Sequence, residues 1–284
     1  MTDSTAVAPS IAELLRGFSI EVNPKETKVI DACQERLEKG TEVFMTWIPG
    51  EDPMTAVAPA TKLRASGLFP VPHIGARHVE STAQLSDFVA RLVGAGIDRV
   101  LIIGGDRDKP AGPFESSLKV MESEILQKAG ITRIAAGAFP EGNPNIAPAL
   151  LEDALTAKLA FARKAGLQYS IVTQFCFEAD PIVEWLRRVR SQGVDVPIRV
   201  GLAGPAGLIT LTRYAIKCGV GNSIKVLTEK PAFAKLLIDK GPEPIIRDLA
   251  GAIPSIPLGI EGIHFFVFGG FNKTVDWINA QRTQ

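Results

Sequence analysis

Cysteine is scarce in this chain, and an excess of charge of either sign is absent. The only cysteines are Cys33, Cys176 and Cys218, which are widely spaced and form no CxxC pair. This argues against a disulfide framework or a zinc site and is typical of a reducing compartment. Lysine plus arginine and aspartate plus glutamate each number 31, so the formal net charge is zero. Without a basic field that gathers nucleic acid or anionic lipid, the expected partner is a small molecule in a pocket.

Long hydrophobic runs are also missing. No apolar run approaches the ~20 residues of a transmembrane helix, and residues 1–10 lack the basic start and apolar centre of a signal peptide. We therefore expect a cytoplasmic protein with no membrane partner. No linker, charge block or low-complexity segment marks a domain boundary. The 284 residues are predicted to form a single domain with a short helical extension at the N terminus.

The chain does contain a regular alternation of short aliphatic runs and helical stripes. The clearest run, residues 100–103, has no polar side chain and suits a parallel strand buried on both faces. It ends at Gly104 and Gly105, and Asp106 follows at once. A carboxylate just after a buried strand stands where α/β enzymes place their chemistry.

Eight such strand–helix units are predicted. The expected strands are residues 18–22, 42–48, 68–74, 100–103, 133–139, 169–177, 198–202 and 264–268. Eight alternating units favour an α/β fold that closes into a single (β/α)8 TIM barrel. An open doubly wound sheet is the alternative, and the lack of a GxGxxG after the first strand counts against its dinucleotide-binding form.

Polar side chains stand at several predicted strand ends, where a barrel carries its function. They include Glu21, His73, Asp106 and Gln174. Two carboxylates and an amide around one pocket would form an acid–base and orienting set. With no third ligand beside the histidines, no metal is expected.

Each of these residues also has a structural reading. Glu21 could pair with Lys25, Asp106 could cap a turn, and Gln174 could be a satisfied core amide. Gly269 and Gly270 fit either a phosphate site or a simple turn.

Several segments together resemble one enzyme family. They are residues 18–24 (FSIEVNP), 72–73 (PH), 96–106 (GIDRVLIIGGD), 113–118 (PFESSL), 139–141 (FPE), 173–175 (TQF) and 262–266 (GIHFF). In order and spacing they resemble the motifs of 5,10-methylenetetrahydrofolate reductases, over nearly the whole chain. The resemblance implies a (β/α)8 barrel that reduces 5,10-methylenetetrahydrofolate to 5-methyltetrahydrofolate in one-carbon metabolism, toward methionine biosynthesis.

By this resemblance, Glu21 would be the general acid that protonates N10 and opens the five-membered ring of the folate. Asp106 would hold the pterin and favour the cationic 5-iminium form, and Gln174 would contact the folate near the reacting carbon. His73 and Gly105 would belong to the cofactor side of the site.

The sequence departs from the family at positions that face FAD. The usual Thr is Gly75, the Arg of the Arg-Gly-Asp motif is Gly104, and a Tyr and a His are Phe139 and Asn143. FAD is therefore doubtful. The chain resembles the divergent branch of the family in which NADH or NADPH gives its hydride directly to the folate. The alternative is a folate-binding barrel without reductase activity that serves a one-carbon system. The sequence does not fix the oligomeric state, and a homo-oligomer is compatible with it.

Overall fold

The computed structural model describes residues 9–253 and 259–283, and its eight strands follow one another in chain order around a closed barrel. The strands are β1 (Ser19–Val22), β2 (Glu42–Met45), β3 (Phe69–Gly75), β4 (Arg99–Ile103), β5 (Arg133–Ala138), β6 (Gln168–Thr173), β7 (Ile198–Ala203) and β8 (Ile260–Phe266). Neighbouring strands pair in parallel, as from β1 to β5 and between β7 and β8. The predicted (β/α)8 barrel is confirmed, and the open sheet is wrong.

Helices alternate with these strands. They are α1 (Ile11–Leu14), α2 (Thr27–Arg36), α3 (Val57–Ala65), α4 (Thr82–Gly94), α5 (Ser117–Glu122), α6 (Ile125–Ala129), α7 (Pro148–Ala165), α8 (Ala179–Ser191), α9 (Leu208–Cys218), α10 (Gly221–Glu229), α11 (Pro231–Lys240), α12 (Glu243–Ala252) and α13 (Phe271–Arg282). Short 3₁₀ turns cover Pro53–Ala56 and Ala76–His78. Within the part of the chain that the structure describes, no helix is both long and apolar enough to cross a membrane.

Two helical regions are each divided into separate helices. Helices α5 and α6 are separate because Glu124 takes a left-handed conformation with φ 58° and ends the helical path. Helices α11 and α12 are separated at Gly241, which has φ 65°.

The chain divides into two compact units. The N-terminal unit comprises residues 19–137 and 152–172, and the C-terminal unit comprises the described parts of 1–18, 138–151 and 173–284. Whether the chain forms one domain, as the sequence predicts, stays a prediction.

The N-terminal unit has an apolar core built from the strands. Five buried side chains, one from each strand from β2 to β6, pack together: Phe44, Val71, Leu101, Ala135 and Val172. Removing such side chains from water is the main driving force for this packing. At the start of β4, the buried guanidinium of Arg99 donates to Glu42 at 2.8 Å and to Asp98 at 2.9 Å, which compensates its charge.

The end of β6 differs from the prediction. The strand ends at Thr173, so Gln174 lies beyond it and not inside it. The backbone N–H of Gln174 donates to the carbonyl of Ala138 at 2.7 Å, and its side-chain Oε1 accepts from the N–H of Phe175 at 3.0 Å. The amide therefore caps its own turn as the chain leaves the strand.

Candidate active site

Glu21 and His73 lie together in the N-terminal unit, on β1 and β3. Oε2 of Glu21 is 3.6 Å from Nε2 of His73, and their side chains are 18% and 6% exposed. The ring of Phe44 meets the imidazole edge-on, with centroids 6.2 Å apart. The pairing of Glu21 with Lys25 that the sequence allowed is wrong, because Lys25 forms its ion pair with Glu51. Glu21 is thus a recessed carboxylate beside a buried imidazole, an arrangement able to hold and deliver a proton.

A small cleft lies beside His73. Its lining includes His73, Thr46, Trp47 and Phe88. Trp47 is half-buried and meets the buried Phe88 edge to face with centroids 6.0 Å apart. Trp47 is therefore the aromatic side chain that this cleft exposes.

Asp106 follows β4 in the same unit, and its carboxylate is bound by His78. Nε2 of His78 lies 2.7 Å from Oδ1 of Asp106. The imidazole is only 7% exposed, whereas the Asp106 side chain is 73% exposed. Asp106 therefore does more than cap a local turn, since a buried side chain from another loop holds its carboxylate at the surface.

Two predicted cofactor-side glycines surround the imidazole of His78. A Cβ atom at Gly75 would lie 3.0 Å from Cδ2 of His78, and one at Gly105 would lie 2.8 Å from it. At Gly104, by contrast, a Cβ atom would meet nothing within 4 Å. The two glycines that replace flavin-side residues therefore have different surroundings. The His78 ring lies against the Cβ position of Gly75, whereas the space beside Gly104 is open.

The C-terminal unit contains the other predicted site residues. Gln174 is half-buried in the turn after β6. Phe139 and Asn143 are half-buried in the segment after β5, where Oδ1 of Asn143 accepts from the N–H of Asn145 at 2.9 Å. Asn143 therefore shapes its own loop. Gly270 takes φ 105° and its N–H donates to Val267 at 2.9 Å, which fits a turn at this point.

A polar cluster in this unit was missed in the sequence. The carboxylate of Glu141 accepts from the N–H and the hydroxyl of Ser223 at 3.0 and 2.6 Å, and the Ser223 hydroxyl accepts from the N–H of Phe177 at 3.0 Å. Burial, together with nearby Glu141, raises the pKa of the Cys176 thiol well above its ordinary value. Cys176 is therefore an inert buried thiol.

Aromatic rings form a second feature of the C-terminal unit. Tyr214 stacks on Phe268 with centroids 3.9 Å apart and planes at 10°. Phe175 is buried and meets Phe266 and Phe268 edge-on at 5.6 and 5.0 Å. Tyr214, Phe266 and Phe268 are half-buried, so part of the aromatic surface of the stack is exposed.

Among residues 9–253 and 259–283, no three histidine, cysteine, aspartate or glutamate side chains are grouped so as to hold a metal ion. Burial raises the pKa of Cys33 to about 12, which leaves that thiol unreactive.

Comparison with known proteins decides the family. The family model described as methylenetetrahydrofolate reductase matches residues 13–221, well over half of the chain. The chain belongs to the methylenetetrahydrofolate reductase family. The match includes Glu21, His73, Asp106 and Gln174.

One solved structure extends the likeness of this methylenetetrahydrofolate reductase family member over almost its full length. It is an uncharacterized protein from Clostridium thermocellum that binds two copies of 5-methyl-5,6,7,8-tetrahydrofolic acid. The identity is 14%, the alignment covers 94% of this chain and 95% of that one, and the TM-score is 0.55. At 14% identity, the similarity to that structure shows that the two chains share a fold, and nothing more.

The structure divides the predicted site residues between the two units. In the N-terminal unit, Glu21 lies beside His73, and Gly75 and Gly105 border the His78–Asp106 pair. Gln174, Phe139 and Asn143 belong to the C-terminal unit. Their roles in binding or catalysis remain predictions.

Proposed function

We propose that the protein is a 5,10-methylenetetrahydrofolate reductase, an oxidoreductase that takes hydride from NADH or NADPH. Family membership supports the reaction class. The observation that carries the proposal is the position of the Glu21 carboxylate, 18% exposed and 3.6 Å from the buried His73 imidazole. A folate carrier needs no such recessed proton donor, whereas ring opening of the substrate does.

The proposed chemistry assigns one role to each group. Glu21 protonates N10, the bond between N10 and the bridging carbon breaks, and that carbon becomes part of a 5-iminium ion. The exposed carboxylate of Asp106 binds the pterin and stabilises the positive charge. Hydride adds to the iminium carbon, giving 5-methyltetrahydrofolate and the oxidised nucleotide. Gln174 contacts the folate near that carbon.

The ligand class has independent support. The Clostridium thermocellum protein with this fold binds 5-methyltetrahydrofolic acid, which is the product of the proposed reaction. Trp47, which lines the cleft and is half-buried, offers aromatic surface of the kind a pterin ring uses.

We further propose that hydride passes directly from nicotinamide to folate. The residues do not fit a flavin as those of the flavin-binding members do. Gly104 supplies no guanidinium, Phe139 no hydroxyl, and the His78 ring fills the space at Gly75. A glycine replaces neither the charge nor the paired donors of an arginine.

The decisive experiment measures NADH and NADPH oxidation under anaerobic conditions with 5,10-methylenetetrahydrofolate, and identifies the product by mass spectrometry. We expect 5-methyltetrahydrofolate in a one-to-one ratio with oxidised nucleotide. Binding of tetrahydrofolates is measured in parallel by calorimetry. Folate binding without turnover by either nucleotide would contradict the proposal and favour the folate-binding barrel.

A further inference from the structure

We propose that His78 is a positioning residue that fixes the carboxylate of Asp106, and that Gly75 and Gly105 provide the slot for its imidazole. The functional part of this inference rests on the proposed contact between Asp106 and the folate. The contact between the two side chains stands on the structure alone.

The two side chains are unequally buried. Asp106 is 73% exposed, and a carboxylate so placed would ordinarily sample several rotamers. The His78 ring is 7% exposed and its Nε2 lies 2.7 Å from Oδ1, so one rotamer of Asp106 is selected. An ionised carboxylate only accepts hydrogen bonds, and Nε2 of His78 must therefore carry the hydrogen. The second carboxylate oxygen is left for a ligand.

The His78 ring leaves little room for a side chain at either neighbouring glycine. Gly105 has φ +88°, where side chains are strained, and a Cβ atom there would also lie 2.8 Å from Cδ2 of His78. Gly75 has an ordinary φ, so only the 3.0 Å approach of its Cβ to the same ring atom opposes a side chain. Gly75 is thus a test position at which crowding of the ring can be separated from backbone strain.

Arg77 holds the backbone of the same loops independently of His78. Its N–H donates to the carbonyl of Gly104 at 2.9 Å, its carbonyl accepts from Ala111 at 2.9 Å, and its Nη2 donates to the carbonyl of Asp108 at 2.7 Å. The loop after β4 is therefore fastened to the loop after β3 even without the imidazole. Arg77→Gln is therefore a matched control. It removes the side-chain bond to Asp108 and so loosens the loop, but it leaves the His78–Asp106 hydrogen bond in place.

The main test is a double-mutant cycle with His78→Ala, Asp106→Asn and the combined variant. We expect His78→Ala to lower kcat/KM for methylenetetrahydrofolate by about 10–100-fold, the range for a lost hydrogen bond to a charged group. In the Asp106→Asn background, His78→Ala should have no further effect, because its target is already altered. Additive effects, or full activity of His78→Ala, would overturn the proposal.

Conservative variants separate positioning from folding. The side-chain nitrogen of glutamine can reach the place of Nε2, whereas that of asparagine is too short, so His78→Gln should recover activity that His78→Asn does not. Gly75→Ala should reproduce part of the loss, and only when His78 is present. If Arg77→Gln matches His78→Ala in kcat, in KM and in melting temperature, the role of His78 is merely structural.

A spectroscopic measurement keeps the inference testable if the proposed function fails. The chain has three histidines, so ¹⁵N-histidine labelling gives a simple spectrum. The His78 signals, assigned with His78→Gln, should show a hydrogen on Nε2 and should shift in Asp106→Asn but not in Arg77→Gln. With no turnover, the mutant cycle is run on 5-methyltetrahydrofolate binding. If the protein does not bind folate either, the spectrum still tests the contact. A His78 signal that shifts in Asp106→Asn would support the contact and leave only the proposed function rejected. A His78 signal that does not shift in Asp106→Asn would reject the contact itself.

Discussion

A single carboxylate, that of Glu141, accepts both the backbone N–H and the hydroxyl of Ser223, at 3.0 and 2.6 Å. Ser223 lies in the first turn of α10, where the helix dipole favours a negative charge. Since the Ser223 hydroxyl also accepts from Phe177, three segments of the C-terminal unit meet at this bond.

We predict that Ser223→Ala lowers the free energy of unfolding by about 1–3 kcal/mol, because it removes the hydroxyl bond and leaves the buried N–H of Phe177 without that acceptor. Urea unfolding checks this, with exposed Ser191→Ala as a control on another helix end. Equal midpoints for the two variants would show that the cluster contributes little.

Glu21→Gln tests the proposed acid. The amide keeps the shape of the carboxyl group but supplies no acidic proton, so kcat should fall by ~10²–10⁴-fold while folate affinity is retained. Steady-state kinetics and calorimetry measure the two quantities. Glu35→Gln, on the exposed face of α2, is the control. A variant with near-normal kcat would remove Glu21 from this role.

The flavin proposal predicts a colourless protein. Purified from cells, it should lack flavin absorbance, and its kinetics should be sequential, because both substrates must be bound for direct transfer. Initial-rate patterns with varied NADH and folate distinguish this from a ping-pong mechanism. Stoichiometric FAD in the purified protein, or a need for added FAD, would refute direct transfer.

Lys158 on α7 should make stability depend on pH. The side chain is 7% exposed, and burial lowers its pKa from 10.5 to about 8. Between these values the unfolded chain binds a proton that the folded chain does not, so the free energy of unfolding should rise with pH across this window, by up to about 1.4 kcal/mol per unit. Below pH 8 both forms are protonated and this contribution is flat.

Lys158→Met should remove that slope and stabilise the protein at pH 7 by about 1–3 kcal/mol, since the buried charge is replaced by an apolar chain of similar length. Urea unfolding at pH 7, 8, 9 and 10 provides the measurement. Exposed Lys164→Met, on the same helix, should retain the wild-type slope. Parallel pH profiles for the wild type and Lys158→Met would contradict the prediction.

The sequence was sufficient to predict the barrel because its evidence is local. The aliphatic run before Gly104 is β4, and Ser81 is the kind of residue that caps a helix, which it does at α4 by accepting from the N–H of Gln84 at 3.1 Å. Strand ends were harder to predict. Nothing in the apolar sequence after Thr173 shows that the Gln174 side chain binds its own backbone, which takes the chain out of the strand.

The site was predicted only in part, since its contacts join distant segments. Glu21, His73 and Asp106 were found at strand ends, but the pairing of Asp106 with His78, from the loop after β3, was not predicted. A usable signal for His78 existed in the glycines at 75 and 105. Their meaning depends on the ring between them, which only the structure shows.

The slot around His78 also couples the residues at positions 75 and 78. A Cβ atom at 75 would approach Cδ2 of His78 to 3.0 Å, so a side chain there requires the ring to shift by a few tenths of an ångström. The effect of a substitution at 75 therefore depends on the residue at 78, which makes the two positions epistatic. Engineering a flavin-side threonine into this protein accordingly calls for testing it with a smaller residue at position 78 as well as with histidine.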